Sequence, residues 1–121
     1  MDANTETAAI EQVVRDAEKL QNDVDGFTGL LTGDVSLVNF TGIRLQGRDQ
    51  VGEVMAKALE TPLKDVLTRN ELLGVTFPRE DVAVASLVKH VNDGRRGALT
   101  FVLVKDDGRW LIALAQTTPI S

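Results

Sequence analysis

The chain has no cysteine. That excludes a disulfide framework and any thiolate-ligated metal, and nothing ties the protein to an oxidising compartment. Histidine occurs once, at position 90, and no pair of histidines or carboxylates has metal-ligand spacing, so no metal is expected. Neither GxGxxG nor a P-loop is present, and no cofactor is expected. No apolar run approaches the length of a membrane span. The opening MDANTETAAIEQVV lacks the basic and apolar regions of a secretory signal, so the expected location is cytoplasmic with no membrane partner. Positive charge is scarce: 13 Lys and Arg against 18 Asp and Glu leave a formal net charge of -5. Phosphate backbones need clustered cations, so no nucleic-acid partner is expected. The one basic doublet, Arg95 and Arg96, sits in a Gly-flanked turn and reads as a solvated loop.

What the sequence does contain is one domain, residues 1–121, which is long enough to bury a core without staples. Its apolar period changes once. Over residues 6 to 21, Ala9, Ile10, Val13, Val14, Ala17 and Leu20 recur at spacings of three and four, which predicts an amphipathic helix. A second, short helix is predicted from an Asp23 or Asp25 N-cap to about Leu31, ended by Gly33 and Asp34. VSLVNF then reads as a strand, Thr41-Gly42 as a turn and IRLQ as its return. Gly47, Arg48 and Asp49 open a third helix, with Val51, Val54, Met55, Ala58 and Leu59 on its stripe, and Pro62 stops it. Strands are predicted at 65–77, 81–92, 98–105 and 110–118. Asp107-Gly108 supplies the last turn, where both central residues of a two-residue hairpin need positive φ. Helices first and a meander afterwards predict an α+β domain with helices on one face of a curved antiparallel sheet.

The late strands are apolar on both faces. In the last of them Trp110, Ile112, Leu114, Gln116 and Thr118 alternate with Leu111, Ala113, Ala115 and Thr117. The strand at 81–92 sets Val82, Val84 and Val88 against Ala85, Leu87 and Val91. A sheet covered by helices on one side shows polar residues on the other when that side meets water. Here it does not, which predicts a homodimer through the outer sheet face. Placing bulky Trp110 and the Gln116 amide inside makes the even-numbered face of the last strand the inner one.

Taken together, LQNDVDGFTGLLTGDVSLVNFTG, GRDQV, PREDVAVAS and FVLVKDDGRWLIALAQTTP resemble the SgcJ/EcaC branch of the nuclear transport factor 2-like, or SnoaL-like, superfamily over nearly the whole chain. The resemblance implies a cone of helices around a strongly bent sheet, dimerisation through the outer face and a pocket at the wide end. It also implies a context, since relatives of this branch occur in enediyne and other natural-product gene clusters. The superfamily's ketosteroid isomerases use a carboxylate base and an oxyanion hole that includes a tyrosine. The base position, three residues before the glycine after the first strand, is Asn39 here, the tyrosine position falls near Arg15, and the chain has no tyrosine. An amide takes no proton at neutral pH, so that chemistry does not carry over.

The candidate catalytic residues are His90 and Asn39, and the candidate ligand-binding residues are Asn39, Ser86, His90, Gln116, Thr118 and Arg15. His90 is the available general acid or base near pH 7, although a strand-end histidine beside Lys89 also reads as solvated. Ser86 shares its strand face, and as a nucleophile it would need His90 within reach. Trp110 reads as core, and Glu80, Asp81 and Asp93 read as solvated turn residues. Two functions fit these residues. One is a pocket protein of secondary metabolism, an accessory enzyme or binding protein for an apolar polyketide-like (enediyne) intermediate. The other is a non-catalytic dimeric binding or assembly module with a vestigial pocket.

Overall fold

The computed structural model describes residues 3–121. Helix α1 (Ala3–Lys19) turns Ile10, Val13, Val14 and Ala17 onto the sheet, all of them buried, as the three-four spacing predicts. Helix α2 (Val24–Thr28) is capped by Asp23, whose carboxylate accepts the Gly26 N–H at 2.9 Å. It ends short of the expected Leu31. That leucine is fully buried and opens strand β1 (Leu31–Val38) opposite Ile112, whose N–H donates to the Leu30 carbonyl at 2.8 Å. Pairing with the sheet overrides the local helical pattern. A short strand β2 (Arg44–Gln46) returns beside β1 and leads into helix α3 (Arg48–Ala58), whose first residue donates from its guanidinium to the Leu31 carbonyl. Pro62 opens a 3-10 turn, Pro62–Asp65, and the chain enters the meander.

The meander is β3 (Thr68–Arg79), β4 (Val82–Val91), β5 (Arg96–Asp106) and β6 (Arg109–Ile120), and the six strands lie in the order β2-β1-β6-β5-β4-β3. Asp107 and Gly108 take φ of 51° and 79°, the conformation that an Asp-Gly hairpin turn requires. The sheet is mixed where an antiparallel one was expected, because β1 runs parallel to β6. Tight turns force antiparallel pairing only on the strands they join. Between β1 and β6 lie α3 and the whole meander, so no local signal sets their relative direction. Among the described residues no helix is long and apolar enough to cross a membrane.

Single-residue insertions in β3 and β6 decide which side chains face inward. Leu72 pairs with Leu87 but Gly74 with Ser86, leaving Leu73 as an extra residue in β3. Ile112 pairs with Leu103 but Leu114 with Val102, leaving Ala113 extra in β6. Each insertion bends its strand and shifts the alternation by one. In β6, Trp110 and Ile112 are therefore buried inside as expected, but beyond Ala113 the inner residues are Ala115 and Thr117. Gln116 and Thr118 are exposed on the outer face, which corrects the expectation that the even-numbered face stays inside along the whole strand.

The narrow end of the cone closes on a carboxylate. Glu6 of α1 accepts the Trp110 indole N–H at 2.7 Å and the Lys105 ammonium at 2.9 Å, while the Trp110 ring meets Phe77 edge-on with centroids 6.0 Å apart. The hydrogen bond from Lys105, more than that from Trp110, holds the Glu6 carboxyl below its ordinary range. A depressed folded-state pKa contributes stability that is complete above the unfolded-state value and is lost as pH falls through the folded one. Glu6→Gln should therefore flatten the decline of melting temperature between neutral pH and about pH 3 relative to wild type, since ordinary carboxyls titrate near 4. Parallel declines in the two proteins would show that Glu6 contributes nothing to acid sensitivity.

Candidate functional site

The wide end of the cone holds a cavity of about 320 Å³. Its helical wall is Phe27 of α2 with Val51, Val54, Met55, Ala58 and Leu59 of α3. Opposite, the sheet supplies Leu37, Leu45, Leu99, Phe101 and Ala115, and Leu63 and Val66 close one side. The apolar stripe of α3 forms the cavity wall: Val51 is buried, whereas Val54 remains 41% exposed. A broader depression between the β3–β4 and β5–β6 turns is lined by Arg79, Glu80, Asp81, Lys105 and Gly108. It lies open at the opposite end of the strands and presents no apolar wall.

Several polar groups on the cavity surface are spent on holding the fold. Asn39 points its Oδ1 at its own turn, accepting from Thr41 N–H (3.0 Å), Thr41 Oγ1–H (2.8 Å) and Ile43 N–H (2.9 Å). It lines the cavity, but its oxygen is engaged in shaping the β1–β2 connection. Gln21 accepts the Thr68 N–H at 2.8 Å and donates to the carbonyls of Glu18 and Thr68, which pins the end of α1 to β3. Asn22 donates to the Lys64 carbonyl at 3.1 Å.

Three polar residues remain at the sheet side of the cavity, and the register brings them together. Asn70 of β3 pairs with Lys89 of β4, and Lys89 pairs with Gly97 of β5. A Cβ on Gly97 would come within 2.7 Å of Thr117 Cγ2 and 2.9 Å of Phe40 Cε2, so the glycine is what lets Thr117 and the Phe40 ring close in beside Lys89. The Asn70 Oδ1 is buried without a hydrogen-bond partner among the described residues. Lys89 is the one charged residue in the lining, and its ammonium makes no ion pair or hydrogen bond among the described residues. Desolvation, with the nearby Arg95 charge second, lowers the Lys89 pKa. Arg95 itself ion-pairs with Asp93 at 2.8 Å and lies 5.1 Å from the Phe40 ring centroid, and both charged residues are exposed, as a solvated loop predicts.

The other expected site residues lie elsewhere. His90 follows Lys89 and so faces outward, where its Nε2 meets Glu71 Oε1 at 2.9 Å across the strand pair. Ser86 shares that outer face and pairs laterally with Thr100, which pairs with Gln116, so Ser86 and Gln116 do meet in one row, but on the outside of the sheet. Thr118 lies in the same face, opposite Ala98. Arg15 projects from the solvent side of α1, bonded to Gln12 at 3.0 Å and near Glu11 at 3.9 Å, because the inner stripe of α1 is taken by Val13, Val14 and Ala17. Of the expected set, only Asn39 touches the cavity. Asn70, Lys89 and Thr117 went unselected. For Lys89 the signal was present, since it shares strand parity with Ala85 and Leu87. For Thr117 the insertion at Ala113 concealed it.

No protein-family profile matches the sequence, and no curated protein does. Solved structures do match. A domain of unknown function with a cystatin-like fold from Nostoc punctiforme is 20% identical, with a TM-score of 0.86 over 100% of this chain and 80% of that one. A nuclear transport factor 2-like protein of unknown function from Shewanella oneidensis is 17% identical, with a TM-score of 0.81 over 93% of this chain and 98% of that one. A ketosteroid isomerase-like protein from Erwinia carotovora atroseptica is 22% identical, with a TM-score of 0.77 over 94% and 95% of the two chains. With its helices wrapped on one face of a bent six-stranded sheet, the chain has the cystatin-like, nuclear transport factor 2-like fold.

Proposed function

We propose that this protein binds a largely apolar small molecule in the cone. The observation that carries this reading is the cavity itself: about 320 Å³ walled mainly by aliphatic and aromatic side chains, with a few convergent polar groups at one side. This is the composition of ligand pockets, and the volume suits a compact ligand. Among the lining residues there is no carboxylate, so the isomerase reaction that needs a carboxylate base has none to use. Binding, or positioning of a reactive molecule without proton abstraction, is the reading that fits. The finer placement in an SgcJ/EcaC-like branch, with a polyketide-like and enediyne-type intermediate as ligand, rests on the residue resemblance and on the apolar walls.

A second reading has its own observation. Val82, Val84, Val102, Val104, Leu111 and Leu114 are all half-buried and share the outer sheet face, with the Ser86, Thr100 and Gln116 row beside them. We propose that a second copy covers this face; an apolar centre flanked by hydrogen-bonding side chains is how such interfaces are built. Under the assembly reading, this surface is the function and the cavity is vestigial. Native mass spectrometry of protein purified from a polyketide-producing host and from a plain host separates the two. A dimer that carries extra mass only from the producing host is the expected result. A bare dimer from both would replace the pocket reading with assembly, and a monomer would remove the interface.

A further inference from the structure

We infer that the molecule held in the cavity carries a carboxylate, and that Lys89 is the residue that pairs with it. The inference rests on the small-molecule reading above and names the ligand's chemical class.

Lys89 is placed by β4 so that its side chain enters the cavity from the sheet, in phase with the buried Ala85 and Leu87. Burying an ammonium is costly unless an opposite charge comes with it. The chain has 18 acidic residues, yet none lines the cavity and no ion pair among the described residues includes Lys89. The contrast with the other inward lysine is direct, because Lys105 on β5 has Glu6 at 2.9 Å. At the closed end of the cone the protein supplies the counter-ion; at the hollow end it does not. The charge that acts on it is that of Arg95, a second cation, which makes the region still more receptive to an anion.

The neighbours complete a polar patch of limited size. Asn70 flanks Lys89 in register, and its buried oxygen has no hydrogen-bond partner among the described residues. A carboxamide offers both a donor and an acceptor, so it serves a ligand hydroxyl as it stands, or a carboxylate oxygen when turned over. Thr117, reached across Gly97, adds a hydroxyl of either sense. Beyond this patch the wall is mainly apolar, and Phe27, Leu45, Met55, Leu99 and Phe101 receive the rest of the molecule. A bound carboxylate, by stabilising the ammonium, offsets the desolvation that lowers the Lys89 pKa.

The test is isothermal titration of the protein with 1-naphthylacetate, 2-naphthoate and decanoate, each beside its uncharged primary amide. The expected result is that at least one acid binds about tenfold or more tightly than its amide, as a charge-assisted contact implies. In Lys89→Met this preference should vanish while amide affinity stays within about threefold, and Lys89→Arg should keep part of it. Lys89→Met removes an unpaired buried cation, so its melting temperature should match or exceed that of wild type, which separates lost recognition from lost folding. Equal binding of acids and amides would overturn the role of Lys89 and leave the apolar cavity standing. Binding of neither would overturn both readings. An acid preference that survives in Lys89→Met would place the anion site elsewhere, and this too would overturn the inference.

Discussion

Val102→Glu should convert a dimer into a monomer. Val102 lies at the centre of the outer face, in lateral register with Val84 on one side and Leu114 on the other, and it remains half-buried in the isolated chain. If a second copy covers this face, two-fold symmetry brings every introduced charge into the contact twice. A carboxylate desolvated there without a partner, opposite apolar side chains, costs several kcal/mol, and two like charges facing each other add to it. The dimer should therefore weaken by about a hundredfold or more, a shift of roughly 3 kcal/mol. The fold should tolerate the change, because a solvent-facing substitution on a strand typically moves stability by about half a kcal/mol. Sedimentation velocity at micromolar concentration reads the result directly. Wild type should sediment at twice the 13.1 kDa chain mass and Val102→Glu at the chain mass. A wild-type monomer, or a Val102→Glu dimer, would rule this face out as the interface. Ser86→Ala or Gln116→Ala, on the neighbouring polar row, should weaken the dimer far less, because hydrogen bonds at a wet rim are easily replaced by water.

Leu103→Ala should be the most damaging single truncation in the sheet, and Leu99→Ala, four residues earlier on the same strand face, should be much milder. Leu103 is fully buried and pairs with the fully buried Ile112 beneath α1, in the closed part of the core. Removing its side chain leaves a hole with rigid walls, a change that costs about 2–5 kcal/mol. Leu99 is nearly as inaccessible, but it lines the existing cavity and pairs with Thr117. Its side chain touches protein on fewer sides, so its loss forfeits fewer contacts and enlarges a space already present. Urea unfolding of the two variants, with unchanged slopes, measures the difference. A Leu99→Ala cost equal to that of Leu103→Ala would mean that the cavity is filled by collapsed side chains in solution. Added saturating ligand should stabilise the wild type, since binding only the folded state raises apparent stability by mass action.

Much of this architecture is written locally. The spacing of Ile10, Val13, Val14 and Ala17 makes α1 and chooses its buried side, and Asp107-Gly108 makes its hairpin because those two residues tolerate positive φ. Asp23 caps α2 through its own side chain, whereas α3 ends at Ala58, before Pro62, which opens a 3-10 turn and does not itself stop the helix. The sequence of β4 even separates Lys89, in phase with Ala85 and Leu87, from His90, in phase with Val84 and Ser86. Histidine's titration near neutral pH pointed the candidate site to His90, the member of that pair that lies outside the cavity lining. Chemical type argued for His90, while strand parity argued for Lys89.

What the sequence by itself determined, then, is the set of elements, their inward stripes where the alternation is unbroken, and the absence of a base at position 39. Tertiary structure alone decided the rest. It set β1 parallel to β6, a pairing between segments that no short turn connects. It also inserted Leu73 and Ala113 into their strands, and a one-residue slip exchanges the faces of everything beyond it. Such a slip leaves no mark in a strand that is apolar on both sides, because either phase buries hydrophobic side chains. That is why Gln116 and Thr118 belong to the outer surface, and why the polar end of the cavity is assembled from Asn70, Lys89 and Thr117, three residues that only the sheet register brings side by side.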